Sequence, residues 1–199
     1  MPEDLPISGE QVEKLKAALA DRYTIESEVG SGGMGIVYKA HDIRHDRKVA
    51  IKIVRPEIAT TVGAERFIRE VRIEAGLNHP HILSVYDSGE VDGFLYCVMP
   101  FIQGESLRDK LDREGQLPFK DAARICREIA DALAFAHANG VIHRDVKPGN
   151  ILLEDRTGTP YVADFGLAIS DSQGGEAPGM VAGTPSYMSP EQVKGKAHR

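Results

Sequence analysis

Residues 143–150 read His143-Arg144-Asp145-Val146-Lys147-Pro148-Gly149-Asn150, and this motif is the strongest signal in the sequence. Asp145 and Asn150 are five positions apart with a proline between them, so we predict that they lie on a structured loop. The loop brings together a carboxylate, the ammonium group of Lys147 and a carboxamide oxygen. Such groups can hold a hydroxyl, neutralise an anion and coordinate a hard cation.

A second acidic motif, Asp164-Phe165-Gly166, begins fourteen residues after Asn150. Residues 155–160 have the composition of a turn, which predicts two strands that return Asp164 beside Asn150. The two side-chain oxygens would then form a site for Mg²⁺, with Mn²⁺ as an alternative. Phosphoryl transfer needs such a metal together with a carboxylate beside the attacking hydroxyl, and Asp145 fits the second requirement. Lys147 is predicted to neutralise the transferred phosphate.

Glycines dominate a third motif, Gly30-Ser31-Gly32-Gly33-Met34-Gly35-Ile36-Val37. Dinucleotide-binding folds share this glycine spacing, so the motif alone leaves a Rossmann oxidoreductase open. A Rossmann turn opens a helix, whereas the β-branched and aromatic residues 36–38 predict a strand. Glycines between two strands form a hairpin whose backbone N–H groups can approach a triphosphate. Binding of NAD without binding of ATP would favour the Rossmann alternative.

Lys52 lies in the middle of Val49-Ala50-Ile51-Lys52, where the alternation of apolar residues predicts a strand. We predict that this cation contacts the α- and β-phosphates of a nucleotide. A lysine in that place needs a carboxylate to hold it, and Glu70 in the predicted helix 63–77 is the candidate. Glu74, one turn further on, is a rival that the sequence leaves open.

The hydrophobic pattern divides the chain into a strand-rich half and a helix-rich half. Strands are predicted at 23–29, 36–40, 49–54, 82–88 and 94–99, and helices at 10–20, 63–77 and 119–138. The helix at 119–138 is apolar over much of its circumference, which predicts that it is buried.

Composition limits the function classes. Hydrophobic residues make up 42% and charged residues 27% of the chain, as in globular domains. With a formal charge of -6, the chain does not attract nucleic acid through its overall field. No apolar run is long enough to predict a membrane span. Cys97 and Cys126 have no metal-like spacing, so we expect two reduced, buried thiols in a cytoplasmic protein.

In their order along the chain, these motifs resemble a Hanks-type protein kinase of the serine/threonine class, most similar to its bacterial branch. The series continues with Gly183-Thr184-Pro185 and Ser189-Pro190-Glu191 and covers roughly residue 23 to the end. The resemblance implies an α+β fold of two lobes. After a lead-in helix in 1–22, it implies an antiparallel β-rich lobe with one main helix (23–99), a hinge (100–102) and part of an α-rich lobe (103–199).

The resemblance also implies transfer of the γ-phosphate of ATP to serine or threonine hydroxyls of proteins, autophosphorylation included. Family members hold adenine between apolar side chains and through the hinge backbone, here the Pro100 carbonyl and the Ile102 N–H. The implied ATP-binding residues are Val29, Gly30, Ser31, Gly32, Gly33, Met34, Gly35, Val37, Ala50, Lys52, Met99, Pro100, Ile102 and Leu152. The implied catalytic residues are Asp145, Lys147, Lys52, Glu70 and Thr184, and the implied metal ligands are Asn150 and Asp164.

Regulation and partners follow from the same resemblance. A protein substrate with a serine or threonine acceptor is expected, and a kinase dimer could support autophosphorylation in trans. Thr184 is expected to steady Asp145 and Lys147, with a phosphorylation site as its alternative. Arg144 marks kinases controlled by phosphorylation of the activation loop, and we expect Glu176 to substitute partly for a phosphate there.

Two departures from the family pattern leave an alternative open. The sequence ends eight residues after Glu191, before further helices that the family has, so we expect a truncated domain. At Glu74 the family usually has an apolar residue that stacks on the phenylalanine of the Asp-Phe-Gly motif. A carboxylate there must be neutralised or turn to water. The alternative function is a nucleotide-binding fragment or pseudokinase-like module with weak catalysis.

Overall fold

The computed structural model describes residues 9–33, 35–56, 59–60, 63–165 and 184–193. The chain forms two compact units, which we describe separately: Met1–Ala75 with Ser84–Phe101, and Gly76–Leu83 with Ile102–Arg199. The helices in the described part are α1 (Gly9–Leu19), α2 (Ala64–Ala75), α3 (Leu107–Glu114), α4 (Phe119–Ala138) and α5 (Pro190–Val193). The strands there are β1 (Tyr23–Gly32), β2 (Gly35–Asp42), β3 (Arg47–Val54), β4 (Asp87–Val91), β5 (Phe94–Pro100), β6 (Gly104–Ser106), β7 (Ile151–Glu154) and β8 (Pro160–Val162).

The first unit is built on a five-stranded antiparallel sheet with strand order β1-β2-β3-β5-β4. In the central strand β3, Val49, Ile51 and Ile53 are 0% exposed and point into one core. Ala50 and Lys52 alternate with them and therefore face the opposite side of the sheet. The alternation predicted from the sequence thus separates a packing face from a face that can receive a ligand.

Helix α1 covers the packing face of this sheet. Leu15 and Leu19 are 2% and 5% exposed and lie in the same core as Tyr38 and Tyr96. Burying a leucine stabilises a fold by about 1.5–3 kcal/mol, so these two contacts are a large part of a domain's net stability. The helix predicted as a lead-in is therefore an integral part of the first unit.

One predicted strand is wrong over most of its length. We expected a strand over 82–88, but β4 begins only at Asp87. Ile82 forms an isolated parallel bridge to Val162, and the Leu83 N–H donates to the Val162 carbonyl at 2.9 Å. Because these backbone groups are satisfied by the end of β8, residues 82–83 belong to the second unit and not to the first sheet.

The second unit combines helices with a three-stranded sheet of order β6-β7-β8. Helix α4 packs one stripe into the core of this unit, with Ile125, Ile129, Ala132 and Ala136 buried. Burial does not extend around the helix as predicted, because Cys126 on α4 is exposed. That finding also corrects the expectation of two buried thiols, since only Cys97 is buried.

Helix α3 has a defined start and end. The Ser106 hydroxyl accepts from the Asp109 N–H, and the Asp109 carboxylate accepts from the Ser106 N–H, which is a capping box. Gly115, with φ of 75°, ends the helix.

Within the described ranges, no helix is long and apolar enough to cross a membrane.

Candidate active site

The glycine motif lies at the turn of a β-hairpin in the first unit. Strands β1 and β2 pair in antiparallel register up to Gly32 opposite Gly35, and β2 continues the chain after the glycines. A helix would follow in a Rossmann turn, so the oxidoreductase alternative is wrong. Arg55, the residue after β3, donates from Nε to the Gly32 carbonyl at 3.2 Å and so holds the glycine loop. The sequence did not predict this contact.

The glycines of this hairpin serve two different purposes. A Cβ atom at Gly30, Gly32 or Gly33 would meet no atom within 4 Å, so the first unit itself does not require glycine there. Their missing side chains instead leave room for the backbone to approach a ligand. A Cβ atom at Gly35 would lie 2.0 Å from the Ile53 carbonyl oxygen. Gly35 is therefore required by the close approach of β2 to β3.

Four of the predicted ATP-binding residues share one face of the sheet. Val37 lies directly opposite Lys52 in the β2–β3 pair, and Ala50 lies opposite Met99 in the β3–β5 pair. Directly opposed residues project to the same side, and Ala50 and Lys52 are two apart in one strand. Val29, by contrast, lies within the second irregularity of the β1–β2 register, between Glu28 and Gly30, and is 49% exposed.

Lys52 is buried, with 5% of its surface exposed. On α2, the Glu70 side chain is 14% exposed and the whole of Glu74 is 7% exposed. We expected that a carboxylate at Glu74 would be neutralised or would turn to water, and its burial shows that it does not turn to water. No buried side-chain nitrogen or oxygen of the described residues lacks a hydrogen-bond partner. Which of the two glutamates contacts Lys52 stays a prediction.

In the second unit, Asp145 lies at the centre of a dense set of polar contacts. Its Oδ2 is 2.7 Å from Lys147 Nζ, and its Oδ1 accepts from the Thr184 N–H and hydroxyl at 3.1 Å each. Asn150 Nδ2 donates to the Asp145 carbonyl at 2.8 Å and to Oδ2 at 3.1 Å. The predicted site residues Lys147, Thr184 and Asn150 thus all contact Asp145.

These contacts determine the charge of the Asp145 carboxyl group. Burial is the largest single influence and raises its pKa, but the ammonium group of Lys147 and the hydrogen bonds from Thr184 outweigh it. The pKa of Asp145 is therefore held below its ordinary value. At neutral pH the group is an ionised acceptor, as hydroxyl recognition requires.

His143 supports the loop from inside the core. It is 1% exposed, its Nε2 lies 2.9 Å from the Ala163 carbonyl, and its Nδ1 accepts from the Asp145 N–H at 3.2 Å. A carbonyl can only accept and an N–H can only donate, so the ring proton sits on Nε2. Burial lowers the pKa of His143, which favours this neutral form. The ring packs against Phe165, with centroids 4.7 Å apart.

The predicted metal ligands are connected by the β7–β8 hairpin. Ile151 pairs with Val162, and the Ala163 N–H donates to the Asn150 carbonyl at 2.9 Å. Asp164 is the next residue after Ala163, so the hairpin brings its backbone close to that of Asn150. Both side-chain bonds of Asn150 are donated by Nδ2, and neither uses the Oδ1 atom that could bind a cation. Asp164 has a φ of 62°, an uncommon conformation for a non-glycine residue.

The donor set fits a magnesium–nucleotide complex. Mg²⁺ in nucleotide sites is held by one or two protein oxygens and completes its shell with phosphate oxygens and water. No group of three or more His, Cys, Asp or Glu that could hold a metal occurs in the part of the chain that the structure describes. Ile102 and Leu152 belong to the second unit, where both are partly buried.

Gln192 was not among the predicted site residues. Its Nε2 donates to the Arg144 carbonyl at 2.6 Å, next to Asp145. The signal was the Ser189-Pro190-Glu191-Gln192 pattern, which is that of a capping box.

Several predicted positions lie outside the described residues, namely Met34, Gly166 and Glu176.

Comparison with known proteins agrees with this architecture. The family model described as Protein kinase domain matches residues 23–199. The chain belongs to the protein kinase family, and the predicted two-lobed α+β fold class is confirmed. Membership implies the use of ATP and a divalent metal ion.

Its relatives include bacterial serine/threonine kinases. The chain is 44% identical to the serine/threonine-protein kinase PknB of Mycobacterium leprae (strain TN), over 89% of the chain and 29% of that protein. It is 42% identical to PrkC of Bacillus subtilis (strain 168), over 89% of the chain and 28% of that protein. The chain therefore spans less than a third of the length of these curated relatives.

The chain is also similar to a solved structure of a kinase domain. The crystal structure of the Mycobacterium tuberculosis PknI kinase domain aligns with a TM-score of 0.66 at 36% identity. The alignment covers 74% of this chain and 61% of that one.

Proposed function

We propose that the chain transfers the γ-phosphate of ATP to serine or threonine hydroxyls of proteins, its own chain included. The observation that carries the proposal is the position of the Asp145 carboxylate, held by Lys147 Nζ at 2.7 Å and by Thr184 at 3.1 Å. An ionised carboxylate fixed in this way suits the orientation of a hydroxyl group. The relatives named as serine/threonine-protein kinases support the class of acceptor.

In this reaction, Asp145 would orient the acceptor hydroxyl and take its proton as the new oxygen–phosphorus bond forms and the β–γ bond breaks. Lys147 would neutralise charge on the transferred group, while Thr184 keeps Lys147 and Asp145 together through its 2.7 Å bond to Nζ. Lys52, held by Glu70, would contact the α- and β-phosphates. Asn150 and Asp164 would hold Mg²⁺ or Mn²⁺, which supplies charge neutralisation at the phosphates.

The remaining nucleotide contacts are proposed for the face that carries Val37, Ala50, Lys52 and Met99, for the glycine hairpin, and for Leu152. The backbone of Pro100 and Ile102 would bind the adenine ring. We also propose the lobe boundaries 23–99 and 103–199, a cytoplasmic location for this domain, and a kinase dimer for autophosphorylation in trans. The role of Glu176 opposite Arg144 is part of the same proposal, and retained activity in Glu176→Ala would contradict it.

The test is phosphate transfer from γ-labelled ATP with Mg²⁺ to the chain itself and to a basic protein, with Asp145→Asn as control. Asparagine has the same shape but cannot accept the proton as a carboxylate does. We expect transfer by the parent chain and none by the control. Stabilisation by ATP and Mg²⁺ without transfer would favour the nucleotide-binding module with weak catalysis. Absence of both responses would refute the proposal.

A further inference from the structure

A side chain outside the predicted site holds the peptide bond that carries Asp145. Gln192 Nε2 donates to the Arg144 carbonyl at 2.6 Å, while its Oε1 accepts from the Ser189 N–H at 3.0 Å. The carboxamide thus connects the segment at 189–193 to the loop at 143–150. Gln192 and Arg144 are both partly buried, so solvent competes only partly for the bond between them.

The same peptide unit is also held at its other end. The Asp145 N–H donates to His143 Nδ1 at 3.2 Å, so the Arg144–Asp145 peptide plane is fixed through its oxygen by Gln192 and through its nitrogen by His143. Arg144 has a φ of 66°, in the left-handed region that non-glycine residues seldom occupy. Such a conformation persists when surrounding contacts hold it. A shift of this peptide unit would displace the backbone of Asp145 and its carboxylate with it.

The local structure alone does not require glutamine. Ser189 Oγ accepts from the Gln192 N–H at 3.4 Å, and Gln192 Oε1 accepts from the Ser189 N–H, which together form a capping box at the start of α5. A glutamate serves that box equally well and is also favoured near a helix N-terminus. The bond to the Arg144 carbonyl is different, because it needs a donor that a carboxylate lacks.

We propose that Gln192 is a positioning residue for Asp145, acting through the Arg144 carbonyl. The proposal deepens the proposed phosphotransfer function and rests on it for its kinetic consequence. Its structural consequence, order in the loop at 143–150, does not depend on activity.

The experiment compares the parent chain with Gln192→Glu, which has nearly the same shape and keeps the capping box. Val193→Ala is the matched control, since this neighbouring side chain is 62% exposed. The first measurement is amide hydrogen exchange of Asp145 and of the α4 core. The second is kcat and the KM for ATP in the transfer assay.

We expect the Asp145 amide to exchange about three- to tenfold faster in Gln192→Glu, as the loss of one hydrogen bond implies. We expect kcat to fall by a similar factor with the KM for ATP unchanged, and Gln192→Asn to recover part of the loss. Unchanged exchange at Asp145, or faster exchange throughout the second unit, would overturn the proposal. An inactive parent would refute the proposed function, and the exchange result would still decide the role of Gln192.

Discussion

Gly35 and Ile53 approach so closely that a Cβ atom on residue 35 would lie 2.0 Å from the Ile53 carbonyl oxygen. Because β2 and β3 are paired here, an alanine would have to push two central strands apart. We expect Gly35→Ala to lower the free energy of unfolding by about 1–3 kcal/mol, measured by denaturant titration.

The matched variant for that measurement is Gly32→Ala in the same hairpin. Nothing lies within 4 Å of a Cβ atom there, so we expect stability within about 0.5 kcal/mol of the parent. Its effect should fall on the KM for ATP, because the backbone of the loop could no longer approach the phosphates closely. Equal destabilisation by the two alanines would contradict this division of roles.

Helix α1 should matter for stability although it precedes the residues matched to the kinase family. Leu15 is 2% exposed and packs with Tyr38 and Tyr96. We expect Leu15→Ala to cost about 2–5 kcal/mol in thermal or denaturant unfolding. Ala18→Ser, on the exposed side of the same helix, should cost much less. A change below about 0.5 kcal/mol in Leu15→Ala would mean that α1 contributes little.

Thr184 offers a test of the polar contacts around Asp145. Its hydroxyl contacts both Asp145 Oδ1 and Lys147 Nζ, whereas its backbone N–H bond to Asp145 needs no side chain. We expect Thr184→Val to lower kcat about tenfold, since hydrogen bonds to charged groups contribute about 1.5–3 kcal/mol. Thr184→Ser keeps the hydroxyl and should retain most of the activity. If serine and valine were equally harmful, the hydroxyl would not be the important group.

The lowered pKa of Asp145 predicts how stability depends on pH. The folded-state pKa lies below the unfolded value of about 3.9, so the stabilisation is fully present above that value. It is lost as the pH falls through the lower folded pKa. His143 acts in the same direction, since its pKa is also lowered and the unfolded state binds its proton first. The measurement compares the parent with Asp145→Asn in thermal unfolding from pH 7 to pH 3, and we expect a shallower loss of stability below about pH 4 in the variant. Because the charge of Asp145 also raises the pKa of His143, a difference between the two curves above that pH belongs to His143. Parallel curves would show that Asp145 contributes nothing to acid stability.

Much of the site could be predicted from the sequence because its residues lie in short motifs. The Asp145, Lys147 and Asn150 contacts are made within one loop of eight residues, so chain connectivity already brings those side chains together. The alternation in β3 likewise placed Ala50 and Lys52 on one face. The Ile82–Val162 bridge and the packing of Leu15 depend on partners far away in the chain, which local patterns do not specify. Gln192 was missed for a related reason: its motif explains a helix start, and the second bond of its side chain is visible only in three dimensions.

Glu70 and Glu74 are the two candidate partners of Lys52. Both carboxylates lie on α2 with little exposure, and Lys52 is 5% exposed, so a buried cation and two candidate anions occur in the same unit. Removing the charge that pairs with a buried lysine leaves that lysine uncompensated, which is costly. We expect Glu70→Gln to lower kcat/KM for ATP at least tenfold and Glu74→Gln to change it little. The measurement is steady-state transfer at varied ATP, with thermal unfolding of both variants as the control for general damage. A larger loss in Glu74→Gln would assign Lys52 to Glu74 and would mean that the position of α2 differs from the one that its motif predicts.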